Sequence, residues 1–330
     1  MSAASSTPEE RRSPALELLR RRPLVSFFVL SYAVTWLLWS PVVILGLPVF
    51  EPSTAAPNPA VLPAIAVGVT GTAVFMIWVT EGRDGLRRYR ERLLTWRVGI
   101  GWWAVAILAL PVGGMIVATL LGASDTLLAL TPAALVSYPL AYLAHFVFGP
   151  LFEESGWRGF ALPRMQYRLG PARGTLVLGL LWSAWHFFLY APMWFGSDLA
   201  AGLQSLIIFS VLTTAMTFLF TWLSNHTRAS LLLVIMLHGS VDGTQTYMTR
   251  LGERGVIDPD SAQLANGIGL LLAAVVIMIV LLVATRARLG YGAYRDTWEE
   301  ARDLDPVTAA APRGGRAPAR PEGSTPGPSA

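Results

Sequence analysis

The chain has 330 residues, 53% of them hydrophobic and 14% charged, with a mean hydropathy of +0.50. An ordinary soluble domain carries about 25% charged residues, so this composition excludes a water-soluble globular protein and points to one built for a lipid bilayer. All 25 basic residues are arginine, the formal net charge is +4 and cysteine is absent. Disulfide frameworks and thiolate zinc sites are thereby excluded, and the arginines, scattered over short connections and tails, form no single basic face of the kind that follows a nucleic acid.

Taken in chain order, the first apolar run follows "RRSPALELLRRR". It is too long for the apolar region of a secretory signal and lacks a small-x-small cleavage site, so it reads as a retained anchor. Stretches long enough to cross ~30 Å of hydrocarbon fall at 24–47, 60–80, 101–122, 130–151, 174–195, 203–224, 229–248 and 264–285. Between them the N-terminal tail carries five arginines, the 81–99 connection six, the 152–173 segment four and the C-terminal tail seven, whereas 48–59, 123–129 and 196–202 carry none. Short cytoplasmic loops hold the arginine excess, so the alternation places both termini in the cytoplasm of a multi-pass plasma-membrane protein. The 249–263 loop, with Arg250 and Arg254, is the awkward member. In the 81–99 connection Leu86, Tyr89, Leu93 and Trp96 recur at helical spacing among arginines, the pattern of a helix lying in the membrane interface.

The expected fold is therefore an all-α integral membrane protein, a polytopic bundle of about eight transmembrane helices around a polar intramembrane cavity. Residues 1–22 read as a disordered basic tail, 23–286 as the transmembrane domain, and 287–330, rich in Pro and Gly, as a cytoplasmic and largely disordered tail. The Arg, Ala, Gly and Pro usage suggests a GC-rich bacterial source.

Ionisable residues inside a bilayer are costly and tend to face a protein interior or an aqueous cavity, which makes each a functional candidate. They are few: His145 in the fourth span, Glu153, Glu154 and Arg158 at its end, His186 in the fifth, His238 and Asp242 in the seventh. Glu154 and Arg158 are four apart in the orientation an ion pair prefers on a helix, which leaves Glu153, about 100° away, free to take a proton. Pro150 favours a kink or restart just before them. His238 and Asp242 also share a helical face, and His238 and His186 lie roughly 12 Å and 18 Å along their spans at 1.5 Å per residue. A carboxylate base with histidines to hold water and meet an oxyanion suffices for amide hydrolysis, and no covalent nucleophile or G-x-S-x-G elbow is needed. His145 reads as structural and His226 as a surface residue.

The stretch "EESGWR" resembles the E-E-x-x-x-R signature of the CPBP intramembrane endopeptidases, the family of type 2 CAAX prenyl proteases and of bacterial abortive-infection and bacteriocin-immunity proteins. "WSAWH" and "HGSVD" resemble its F-x-x-x-H and H-x-x-x-[N/D] motifs, in the family's order. The resemblance implies Glu153 as general base, His186 as its partner on the water, His238 with Asp242 as the oxyanion or second polar pair, and Glu154 with Arg158 as a supporting ion pair. The chain departs from the pattern with Trp182 in place of Phe, and with Asp242 where the prenyl proteases of this type carry Asn.

On this reading the protein hydrolyses a peptide bond of a membrane-associated peptide or protein near the cytoplasmic face, with a glutamate-activated water and no required cofactor. Glu153, His186 and His238 would be three ligands with an open fourth position if a divalent metal such as zinc were bound, but H-E-x-x-H is absent. The alternative is a catalytically silent immunity or scaffold protein that holds a partner in the same polar pocket. A proton-relay transporter is disfavoured by the lack of an inverted hydropathy repeat.

Overall fold

A computed structural model describes residues 14–50, 58–147, 149–196 and 198–297, and the regular elements among them are helices. After α1 (Pro14–Arg21) come α2 (Pro23–Ile44) and α3 (Leu62–Ile65), which runs through a π-helical stretch Ala66–Gly71 into α4 (Thr72–Leu93). Next are α5 (Ile100–Leu120), α6 (Pro132–Leu135), α7 (Tyr138–Val147), α8 (Pro150–Gly156), a second π stretch Trp157–Ala161, and α9 (Leu162–Leu169). The chain then forms α10 (Pro171–Phe195), α11 (Leu199–His226), α12 (Leu231–Glu253), α13 (Pro259–Leu264), α14 (Leu270–Ala284) and α15 (Tyr291–Thr297). Proline at the first helical position, where its missing amide costs nothing, opens α2, α8 and α10. Asp198 and Ser230 cap α11 and α12 by accepting backbone amides of Ala201 and Leu233.

Among the described residues six helical segments are long and apolar enough to cross a membrane: Pro23–Ile44, Pro59–Leu93, Ile100–Leu120, Pro171–Phe195, Leu199–His226 and Pro259–Ala284. They coincide with six of the eight expected spans, and the protein is a multi-pass helical membrane protein. The other two spans are helical but unlike their neighbours. The fourth is broken into α6, α7 and α8; the break before α8 arises because Pro150 withholds an amide from the ladder and Gly149 adopts a φ of +146° that side chains with a Cβ avoid. The seventh is the 23-residue α12, long enough to cross but interrupted by His238, Ser240, Asp242, Thr244, Gln245 and Thr246.

Three expectations change. Residues 14–21, placed by composition in a disordered tail, form α1, and 291–297 form α15; residues 1–13 and 298–330 lie outside the described residues. The 152–173 segment, counted as a connection, is helical through Leu169, and residues 153–163 are all buried. The interface helix proposed for 81–99 is the end of α4, kinked at Gly82 with φ 65°; Leu86 and Tyr89 pack on the core and Arg92 is buried.

The two ends of the bundle are built differently. At the arginine-rich end, side chains lace the elements together. Arg92 donates to the carbonyls of Ala229, Gly159 and Arg158, Ser230 to that of Thr95, and Arg228 to that of Arg97. Gln166 and Asn225 exchange amide hydrogen bonds at 3.0 and 2.8 Å, and Asn225 also donates to the Leu289 carbonyl; Arg164 pairs with Glu81. In lipid the hydrophobic effect gives little drive between helices, so such polar links and close packing hold a bundle together. Gly156 shows the packing. A Cβ there would meet the Val69 side chain at 2.4 Å and its carbonyl oxygen at 3.2 Å, so only glycine lets α8 press against the first π stretch. Above this seam Phe27, Trp157, Trp185 and Trp39 are fully or almost fully buried and meet ring to ring.

Candidate active site

The polar residues singled out by spacing come from α8, the second π stretch, α10 and α12, and the fold brings them together. The break at Gly149 and Pro150 starts a new helix inside the bundle, so Glu153 and Glu154 sit on its first turns rather than in a loop. The π stretch Trp157–Ala161 follows directly and carries Arg158; π-helical turns are frequent at functional sites, since the extra residue per turn re-aims side chains.

Glu154 and Arg158 are 0% exposed and paired at 2.8 Å, Oε1 to Nη1. Arg158 also donates to Thr217 Oγ1 at 3.1 Å, whose own hydroxyl proton goes to the Thr213 carbonyl. The guanidinium lies 4.4 Å from the ring centre of Trp182 and 4.6 Å from that of Phe220. A buried charge demands this degree of pairing, because removing it from water costs several kcal/mol per ion. The ion pair expected from i,i+4 spacing is present, and it does more than the spacing foretold: the same Oε1 lies 2.9 Å from His238 Nδ1. His238 Nε2 in turn faces Asp242 Oδ2 at 3.5 Å, so the imidazole is held between two carboxylates.

Glu153 points the other way, into a cavity of about 290 Å³ whose lining includes His186, His238, Asp242 and Trp182. Its Oε2 accepts the indole N–H of Trp182 at 2.8 Å and lies 3.9 Å from His186 Nε2. His186 Nδ1 is 2.9 Å from the Trp182 carbonyl. A carbonyl only accepts, so Nδ1 carries a proton, and in the neutral tautomer Nε2 faces Glu153 unprotonated. A gap of 3.9 Å between two acceptors is too wide for a direct hydrogen bond and fits a bridging water.

Spacing alone missed three participants. Trp182 stood out only as a departure in size, yet its N–H engages Glu153 and its ring meets His238 edge-on at 5.2 Å; a donor acting across two helices leaves no mark in either helix's periodicity. Thr217 is one of several threonines on α11, none distinguished by pattern. Tyr190 stacks on His186 at 5.4 Å, and its position four residues on, along one helical face, is a signal that could have found it. His145, read as structural, is buried with Nε2 2.7 Å from Thr246 Oγ1, and borders the same cavity. His226 lies away from the site, exposed and stacked near Trp102. Among the described residues no three His, Asp or Glu side chains converge in a geometry that would hold a metal ion, so Glu153, His186 and His238 do not fit the ligand set considered from sequence.

Residues 135–244 match the family model described as "Type II CAAX prenyl endopeptidase Rce1-like", and every motif residue of the cluster, from Glu153 to Asp242, falls within that match. The matched stretch is a third of the chain. A curated relative, CAAX prenyl protease 2 of Methanococcus maripaludis, is 29% identical over 133 residues, which cover 38% of this chain and 45% of that protein. The alignment thus spans less than half of the relative's length. The matched stretch begins at the end of the short helix α6 and ends in the middle of α12, so it contains α7 to α11 and the first half of α12, while α2, α4, α5 and α14 lie outside it.

Proposed function

We propose that the protein is an intramembrane endopeptidase that hydrolyses a peptide bond with a water activated by Glu153. The observation that carries this reading is the 3.9 Å gap between Glu153 Oε2 and His186 Nε2, both acceptors, at the wall of a polar cavity. A water seated there offers one hydrogen to each and turns an oxygen lone pair towards the cavity. Glu153 takes the proton as that oxygen attacks the scissile carbonyl, a general-base step worth roughly 10²–10⁴-fold in rate. The oxygen–carbon bond forms, the carbonyl π electrons move onto oxygen, and His238, doubly protonated between Glu154 and Asp242, donates Nε2–H to the oxyanion. Glu153 then passes its proton to the leaving amide nitrogen, the carbon–nitrogen bond breaks, and a carboxylate and an amine result.

Each supporting residue has a stated part. Trp182 holds the Glu153 carboxylate through Oε2 and accepts the Nδ1 proton of His186 at its own carbonyl, so a single residue orients both water-binding groups. Glu154 orients His238, and Arg158 holds the Glu154 carboxylate in place at 2.8 Å. Asp242, half-buried and 3.5 Å from His238, orients the imidazole rather than meeting the oxyanion, since two negative oxygens repel. No step requires a cofactor. The relative's name as a prenyl protease suggests that a lipid-modified peptide is one substrate class to try. The test is a comparison of membrane-peptide termini in cells making wild type or Glu153→Gln at equal abundance. New termini confined to wild type are expected; identical termini with folded protein would favour instead a silent scaffold that holds a partner in the cavity.

A further inference from the structure

An oxyanion formed in the cavity meets one assigned donor, His238 Nε2–H, and that nitrogen already faces Asp242 Oδ2 at 3.5 Å. Sites that stabilise a tetrahedral intermediate aim preorganised donors at the place where charge develops, and a donor shared with a carboxylate is a weak one on its own. Other polar groups on the wall are engaged elsewhere. The Trp182 indole N–H goes to Glu153, the Thr246 hydroxyl pairs with His145, and the Thr249 hydroxyl goes to the Gln245 carbonyl.

Tyr190 differs from these. It lines the same cavity and follows His186 by four residues, as His186 follows Trp182, so the three share one face of α10 on consecutive turns. Its hydroxyl donates to no acceptor among the described residues and is not shut into the core, so the O–H opens on the cavity that the ring lines. The charges that act on it are those of Glu153 and Asp242, the two carboxylates of the cluster that border the cavity. Four rings fix its position: it stacks on the His186 imidazole at 5.4 Å and 16°, lies 6.3 Å from Phe50 at 24°, and meets Trp194 and Phe209 at 5.5 Å each. A donor held in this way needs no reorganisation when charge develops. Gln245 and Thr213 also reach the wall, but Gln245 is roughly 10 Å along α12 from His238, and the aliphatic hydroxyl of Thr213 is a weaker acid and a weaker donor than a phenol.

We propose that Tyr190 is a further catalytic residue, its phenol O–H donating to the scissile carbonyl oxygen beside His238 Nε2–H. As the water oxygen bonds to carbon and the carbonyl π electrons move onto oxygen, both hydrogen bonds strengthen. The phenol keeps its proton throughout, and the electron pair returns to carbon when the carbon–nitrogen bond breaks. One face of α10 then serves three parts of the reaction: Trp182 holds the base, His186 the water, and Tyr190 the oxygen that becomes negative. The assignment rests on the peptidase reading, because it needs a carbonyl under attack.

The test compares full-length wild type, Tyr190→Phe and Glu153→Gln, purified into lipid bilayers, on a peptide that wild type cleaves. Phenylalanine keeps the stack on His186 and removes only the donor. Expected for Tyr190→Phe is a kcat lower by roughly 10²-fold, the low end for loss of one oxyanion donor, with KM and the unfolding midpoint near those of wild type. A phosphinate peptide, in which tetrahedral phosphorus replaces the scissile carbon, should lose affinity by a similar factor, since such analogues report binding of the transition state. A wild-type kcat in Tyr190→Phe overturns the proposal. So does a lowered kcat with unchanged phosphinate affinity, the mark of a residue that acts only by positioning His186, and so does a variant that fails to fold, because the hydroxyl then carries structure. Full cleavage by Tyr190→Phe beside an inactive Glu153→Gln sinks this assignment alone, whereas full cleavage by Glu153→Gln sinks the glutamate-activated water and leaves the Tyr190 result standing by itself. If wild type cleaves no peptide, both readings fall.

Discussion

The laced, arginine-rich end of the bundle and the end towards which the cavity runs use their buried polar groups differently. At the laced end buried cations reach acceptors on other elements: Arg92 donates to three carbonyls, and at the seam Arg158 donates to a carboxylate and a threonine hydroxyl. At the other end polar side chains line a cavity instead of one another, with Glu153 and His186 set 3.9 Å apart. The contrast teaches that buried polarity has two uses in lipid. Where side chains reach acceptors on other elements it ties helices together, and where Glu153 and His186 stand 3.9 Å apart on a cavity wall it leaves polar atoms facing open space.

Substitutions should respect that division. The largest effect is expected from Glu153→Gln, a loss of roughly 10²–10⁴-fold in peptide cleavage with thermal stability unchanged, since the glutamine oxygen can still accept from Trp182; cleavage kinetics beside an unfolding curve in detergent would check both halves. Arg158→Met acts at the seam between the regions and strands the Glu154 carboxylate, and loss of one partner of a buried pair costs about 3–5 kcal/mol, read as a lowered unfolding midpoint together with lost activity. Arg92→Met belongs wholly to the laced end. It should cost about 1.5–3 kcal/mol, the scale of hydrogen bonds from a charged group, while whatever protein remains folded cleaves at the wild-type rate. Trp182→Phe keeps the ring and removes the N–H that holds Glu153, for a roughly tenfold loss of cleavage, about 1.5 kcal/mol, at near-constant stability. Smallest is Gln245→Ala on the cavity wall, within about 0.5 kcal/mol of wild-type stability, its effect confined to the KM of peptides long enough to reach it. A large stability loss at Gln245, or a large activity loss in folded Arg92→Met, would break the comparison.

Much of the laced, lipid-facing frame is legible in the sequence. The uninterrupted apolar runs of α2, α5 and α14 can be little else, because lipid requires a spanning segment to satisfy its own backbone and only an apolar helix does so cheaply. The fourth span is harder to read. Its glutamates and arginines resemble the end of a helix leaving the membrane, and only tertiary packing shows that residues 153–163 turn back into the core. The site residues themselves are legible as types at spacings, Glu154 with Arg158 and His238 with Asp242, since helical neighbours are set by local geometry. Contacts between helices are not: that Glu154 reaches His238, or Trp182 reaches Glu153, depends on how α8, α10 and α12 pack. The cavity itself was likewise hidden, because arginine counting says nothing of where the interior is hollow.

The most direct test of the glutamate-activated water is a single turnover by purified protein in lipid bilayers, in heavy-oxygen water, on a peptide that wild type cleaves. One heavy oxygen atom in the new carboxyl terminus from the first turnover, with no product from Glu153→Gln, is the predicted result. An unlabelled first-turnover product, whose oxygen came from a protein side chain, or equal cleavage by the Glu153→Gln variant, would contradict it.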